Sequence, residues 1–158
     1  MKTITITDSQ IICDTIDKCG ICFVGITQPD GMPYVIPMCF GFHDNTFYFH
    51  SGLEGDKLDF LKNNPRVCIT LSEGEQLVFQ HSDVACSYSM KSHSIIAQGE
   101  VAFIDDYDEK VKALDIIMQH YTKRKFTYGV PAVNNIRIWK VSNPEISCKS
   151  FGNRAKRQ

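Results

Sequence analysis

Thr46-Phe47-Tyr48-Phe49-His50-Ser51-Gly52-Leu53-Glu54-Gly55-Asp56-Lys57-Leu58-Asp59-Phe60-Leu61-Lys62-Asn63-Asn64-Pro65 packs a strand, a break and a short helix into one stretch. Phe47 and Phe49 alternate with Tyr48 and His50, the period-two pattern of a half-buried strand, so His50 ends that strand on its more polar face. Gly52 and Gly55 then break the chain. Leu58 and Leu61 fall on one side of a helical turn or two, which Asn63-Asn64-Pro65 stops because proline disfavours helical geometry in the residue before it. From His50 to Lys57 the segment combines a hydroxyl, backbone N–H groups made reachable by glycine, a helix start and a cation, which are the parts of a phosphate site. It does not match G-x-x-x-x-G-K-[ST], and the residues alone leave open a plain glycine-containing loop with a surface lysine.

Working back towards the N-terminus, Ile21 to Thr27 and Tyr34 to Phe42 are rich in β-branched and aromatic residues and flank Gln28-Pro29-Asp30-Gly31, a hairpin signal. Asp44-Asn45 marks a second turn. Ahead of them Thr7-Asp8-Ser9-Gln10 has the form of a capping box before Ile12, Ile16 and Cys19 at helical spacing, predicting a helix over about 8–18 with Thr7 accepting from its first turn.

Towards the C-terminus, 66–71 reads as a strand. The pattern weakens over 72–93, with a possible strand at 76–80, and resumes at 95–104, where Gly99 marks a bulge or a close backbone approach. Tyr107, Val111, Leu114, Ile117, Met118 and Tyr121 form one stripe of a helix over about 107–122, capped by Asp106-x-x-Glu109, and that stripe reads as core. A last strand at 136–141 and an extended piece at 145–148 bring the expected count to six or seven strands. Strands joined by tight turns, without regular crossover helices, predict a mostly β fold: an antiparallel barrel with flanking helices.

A chain of 158 residues fits one domain, which buries roughly 70% of the surface exposed when unfolded. The expected domain is 1–158, its core about 8–148, with a basic tail at 149–158. A net charge of −1 provides no field for a nucleic-acid backbone; the cluster Lys149, Arg154, Lys156, Arg157 reads as a solvated terminus. The N-terminus alternates apolar residues with threonine and lacks a leader's apolar run, and nowhere do 18 apolar residues follow one another, so neither export by that route nor membrane spanning is expected. Seven scattered cysteines, an odd number, suit a reducing compartment, and the expected location is cytoplasmic.

Cys19-Gly20-Ile21-Cys22 has the spacing of a dithiol pair or half a zinc site. It lies at a helix-to-strand junction, however, and has no second pair to complete a tetrahedral shell, so the reading is structural thiols and no metal site. His43, His50, His81, His93 and His120 fit no metal or nucleophile-elbow spacing. Only His50, with Ser51, two glycines and Lys57 after it, draws attention.

Four segments in order, Tyr34-Val35-Ile36-Pro37-Met38-Cys39-Phe40, Phe47-Tyr48-Phe49-His50-Ser51, Gly55-x-Lys57-x-x-x-Leu61-x-x-Asn64-Pro65-x-Val67 and Ser94-Ile95-Ile96-Ala97-Gln98-Gly99-Glu100-Val101, resemble the pyridoxamine 5′-phosphate oxidase-like FMN-binding split-barrel superfamily. Within it, the chain is most similar to the group containing the nitroimidazole-resistance reductases. The resemblance spans about residues 8–148. It implies a six-stranded split barrel that forms a homodimer with FMN between the subunits. Carried over by position, the backbone of Ile36, Pro37, Met38, Cys39 and Phe40 lies along the isoalloxazine ring, and His50 and Ser51 sit beside ring and phosphate. Lys57 pairs with the phosphate, Ser94 adds a polar contact and Trp139 packs on the ring. His50 is the one candidate catalytic residue, as a proton or hydrogen-bond donor.

The implied chemistry is an FMN-dependent transfer of electrons from a reduced nicotinamide or similar donor to a small acceptor such as a nitroaromatic, a quinone or flavin. Two other readings stand beside it: a non-enzymatic module that binds or stores flavin or haem, and an oxidase of pyridoxamine phosphate. The second is disfavoured because the basic pair expected before the phosphate helix reads Asp56-Lys57; Arg154 and Lys156 would have to stand in for substrate-binding basic residues.

Overall fold

Over residues 2–153, which the computed structural model describes, the periodic segments form nine strands and four helices. In chain order these are β1 (Lys2–Ile6), α1 (Ser9–Lys18), β2 (Cys22–Thr27), β3 (Pro33–Met38), β4 (Gly41–His43), β5 (Thr46–Ser51), α2 (Asp56–Asn63), β6 (Arg66–Val78), β7 (Ser89–Ile104), α3 (Tyr107–Tyr121), α4 (Val130–Asn134), β8 (Arg137–Ser142) and β9 (Glu145–Asn153). The basic tail residues Arg154, Lys156 and Arg157 lie outside the described residues.

Local chemistry sets several boundaries. Asp8, one residue later than the Thr7 expected, caps α1 by accepting from the N–H groups of Gln10 and Ile11 at 2.8 and 3.2 Å. Asp106 caps α3 as its sequence predicts, accepting from Glu109 N–H at 3.0 Å. Gly31 N–H closes the β2–β3 turn on Gln28 O at 2.9 Å. Asp44 and Asn45 both take positive φ, 45° and 51°, and so form the tight turn between β4 and β5 whose twist matches its strands.

The strands run β3-β2-β6-β7-β8-β5-β4, all antiparallel along this path. The sixteen residues of β7 serve two partners: Ser92–Gln98 pair with β9, and Val101–Ile104 pair with β8. β9 also carries β1. The nine strands correct the expected six or seven. The N-terminal alternation is itself a strand, and the weak stretch 72–93 is the far end of one long β6–β7 hairpin, with a register shift between Glu73 and Gln76. The shift, with Gly74 at φ 72°, flips the strand's parity, and polar and apolar residues beyond it are both exposed, which is why its period is faint.

The expected strand over 34–42 divides at Cys39–Phe40, where the chain leaves one edge of the sheet for the other. Gly41 sits under α3, and a Cβ there would lie 2.8 Å from the Ile117 backbone, so no larger residue lets the helix dock this closely. Inside the barrel, Phe40, Phe47, Phe49 and Trp139 are fully buried together with aliphatic residues of β2, β6 and β7. Ile138 faces the other way and packs with Ile104 and Ala113 beneath α3. Among the described residues no helix is long and apolar enough to cross a membrane.

Candidate functional site

The edge strand β3 and α2 meet at one corner of the barrel. Leu58 and Leu61, each 1% exposed, anchor α2 in the core, and Phe60 meets Tyr34 of β3 edge-on at 5.5 Å between ring centroids. That anchoring sets Lys57, one residue before Leu58, beside the end of β5. Gly55 precedes the helix at φ 133°, a conformation that L side chains rarely adopt, and neither it nor Gly52 has a heavy atom crowding the place a Cβ would take. The backbone is therefore open to an approaching group.

Lys57 is half-buried, and among the described residues no carboxylate forms an ion pair with it. His50 keeps an exposed edge, yet burial of the rest of its ring, with the Lys57 charge second, pulls its pKa below the ordinary histidine value. Ser51 is 8% exposed, its hydroxyl donating to Gly52 O at 3.2 Å. Successive residues of a strand face opposite sides, so His50 lies on the outward side with Tyr48 while Ser51 shares the inward side of Phe47 and Phe49.

Along β3, Pro33 and Pro37 have no N–H to give and share one side of the strand. That side is the one turned away from β2, since the ladder would otherwise lose two bonds. The free edge at 33–37 thus offers the carbonyls of Pro33, Val35 and Pro37 and the N–H of Val35, while Ile36 and Met38 pair inward. Phe40 and Met38 bury their side chains, and Cys39 is exposed.

Two predicted site residues do not reach this corner. Trp139 was expected to pack on a ring; instead it is sealed in the barrel at 0% exposure, stacked on Phe49 at 4.2 Å. Ser94 lies ten residues along β7 from Ile104, the residue in register with Ile138 and through it with His50. At about 3.3 Å per residue that is roughly 30 Å of strand. Arg137 was missed: it stands directly opposite Ser51 in β8 and pairs with Asp105 at 2.7 Å. No linear signal joins residues 51 and 137, and only strand register does.

A hollow of about 560 Å³, a size typical of small-molecule sites, opens on the outer face of the sheet, between Gly25, Pro33, Arg66, Cys68, Gln98 and Glu145. It touches Asn64, at the opposite end of α2 from Lys57. Its rim carries two carboxylates, Glu100 and Glu145, and one cation, Arg66.

The C-x-x-C thiols are both buried. Burial, with the charges of Glu73 and Glu75 behind it, pushes Cys19 up to about 11, and burial pushes Cys22 up to about 12, so both stay protonated near neutral pH. A thiol reagent is expected to label exposed Cys86 in the native protein within minutes and to spare Cys19 and Cys22 until denaturant is added. Mass spectrometry of the labelled peptides reads this directly, and rapid labelling of Cys22 would refute it.

An open glycine loop, a lysine with no ion-pair partner among the described residues and a free strand edge thus lie on a split antiparallel barrel, and the fold defines a split-barrel protein. The chain belongs to the pyridoxamine 5′-phosphate oxidase family, whose sequence pattern matches residues 8–149. It is similar to a candidate 5-nitroimidazole antibiotic resistance protein from Bacteroides thetaiotaomicron, with 51% identity over 94% of this chain and 87% of that one and a TM-score of 0.86. In fold it is also similar to a flavocytochrome from Azotobacter vinelandii (20% identity, 98% and 72% of the two chains, TM-score 0.81). An FAD- and haem-binding protein from Mycobacterium smegmatis shares the fold too (16% identity, 98% and 76%, TM-score 0.83). No curated protein matches the chain.

Proposed function

We propose that this protein binds FMN at the β3–α2 corner and works as an oxidoreductase that passes electrons from a reduced nicotinamide or similar donor to a small flat acceptor, a nitroaromatic before a quinone or flavin. The observation that carries the reading is Lys57: a half-buried cation with no carboxylate partner, beside an open glycine loop and a histidine whose proton affinity is lowered. A phosphate dianion fits that set, because charge-assisted hydrogen bonds are about twice as strong as neutral ones. The nitroaromatic acceptor rests on the 51% identity to the candidate 5-nitroimidazole resistance protein. Asp56, in place of a second basic residue, counts against a pyridoxamine phosphate oxidase.

In this reading Lys57, Ser51 and the backbone at Gly52 and Gly55 hold the phosphate, and the carbonyl-rich edge of β3 lines the ring. FMN supplies the two-electron chemistry when bound. The chain's own residues orient the ring, and His50 holds a proton at the ring's side. Ser94 joins such a site only from a second copy. A homodimer is proposed on the apolar row across the outer face, where Phe23 (49% exposed) and Ile96 (44%) lie in register with Thr70 between them. Sedimentation checks it, a monomer counting against it.

The purified protein, incubated with FMN and desalted, is expected to keep the two-banded visible absorption of oxidised flavin. Bleaching by NADH or NADPH without oxygen and recovery on adding a nitroimidazole would complete the test. A colourless protein sinks the flavin reading, and a yellow one inert to both nicotinamides and to dithionite-driven nitroimidazole reduction sinks the enzymatic one.

The same charges give a pH prediction. In the free protein the unfolded chain binds the His50 proton more readily than the folded one, so stability falls as pH drops from the ordinary histidine value towards the lowered one. FMN phosphate neutralises Lys57, so saturating FMN is expected to raise the His50 pKa. An NMR titration reads it, and an unmoved value would put the phosphate elsewhere.

A further inference from the structure

We propose that Tyr121 is a positioning residue for the ring-lining stretch Ile36–Phe40, its hydroxyl tying Phe40 to Gly20 so that the junction between β3 and β4 stands in one conformation. This rests on the FMN reading of the corner.

The junction is packed by the buried Phe40 ring and by Gly41 under α3, but its backbone is out of the strand ladder. β3 ends at Met38 and β4 begins at Gly41, so Cys39 and Phe40 have left the ladder. The Phe40 N–H donates to the Tyr121 hydroxyl at 2.9 Å, and that hydroxyl donates to Gly20 O, also at 2.9 Å. One side-chain oxygen thus joins the two chain segments that leave the end of the β2–β3 ladder, just beyond the Cys22–Met38 pair. His120 reinforces it from the same turn of α3: its Nε2–H donates to Cys19 O at 2.7 Å, and its ring lies 4.4 Å from that of Phe40. Phe40 is therefore gripped by its amide and by its fully buried ring. The Tyr121 hydroxyl stays protonated across the neutral range, since burial first and Cys39 next push its pKa up to about 12, with the Phe40 N–H pulling the other way.

The geometry explains the sequence locally. Tyr121 is the last residue of α3, where a long side chain can reach past the helix end, and His120 precedes it on the adjoining face. Tyr121 as a residue is 42% exposed and phenylalanine keeps its ring, so that replacement removes the two hydrogen bonds without opening the core. Phe40 N–H is then left without an acceptor, and the end of the ring-lining stretch loosens.

The test compares wild type, Tyr121→Phe and Asp106→Ala. The last removes the N-cap of the same helix at its far end and serves as the control for general weakening of α3. Tyr121→Phe is expected to raise the Kd for FMN about tenfold, the change when the released junction holds the binding conformation about one-tenth of the time. It should also shift the absorption of bound FMN towards that of free flavin and speed amide hydrogen exchange at Phe40. Asp106→Ala is expected to lower the melting temperature while leaving the bound-flavin spectrum alone. Wild-type affinity and spectrum in Tyr121→Phe would overturn the proposal, as would an equal spectral change in Asp106→Ala. A wild-type protein that takes up no FMN would remove the flavin reading and this proposal with it, whereas binding by wild type and an unchanged variant removes this proposal alone.

Discussion

Trp139→Ala is expected to cost about 3–5 kcal/mol of folding stability, the range for truncating a fully buried large aromatic. Trp139 is 0% exposed, stacks on Phe49 at 4.2 Å with 20° between the ring planes, and pairs in register with Phe49 on one side and Phe103 on the other. Its removal empties the centre of the barrel, where strands hydrogen-bonded on both flanks cannot collapse inward to fill the gap. Trp139→Phe separates volume from polarity. The indole N–H has no acceptor among the described residues, so phenylalanine gives up no hydrogen bond and is expected to lose less than half as much. Urea unfolding at constant slope measures both; equal losses would mean that the N–H is bonded in the folded protein.

Lys57→Ala is expected to weaken FMN by about 1.5–3 kcal/mol, the range for a hydrogen bond to a charged group. It should scarcely alter the stability of the FMN-free protein, because Lys57 is half-buried and no ion pair is lost with it among the described residues. Affinity in the wild type should fall as salt rises, and the slope should flatten in the variant. Lys57→Arg, which keeps the charge, is expected to retain most of the affinity. Fluorescence titration decides it: unchanged binding in Lys57→Ala would move the phosphate away from the α2 corner and take the reading of His50 with it.

The candidate site was legible in the chain only in part. His50, Ser51, Gly55 and Lys57 are close in sequence, so strand alternation, glycine and a helix start suffice to group them, and the structure brings them to one corner. Arg137 was invisible because its partner Ser51 is 86 positions away and the two meet through β5–β8 register. Ser94 looked like a neighbour by motif order, yet ten residues of β7 separate it from the level of His50. Trp139 was carried over as a ring-packing residue from the resemblance alone. Only the inward parity of β8 at that position made it core.

Amino-acid order alone determined the elements that depend on neighbours within about four positions: the α1 and α3 helices, the Asp106 cap, and the turns at 28–31 and 44–45. Tertiary structure decided what depends on closing long loops. It broke 34–42 into two strands on opposite edges, turned 72–93 into one long hairpin, and let Tyr121 reach Phe40 and Gly20 across 81 and 101 positions. The division has a physical cause. Periodicity, capping and turn chemistry act through local backbone geometry, whereas register and burial come from which edges meet once the chain has collapsed, and no short window of residues encodes that meeting.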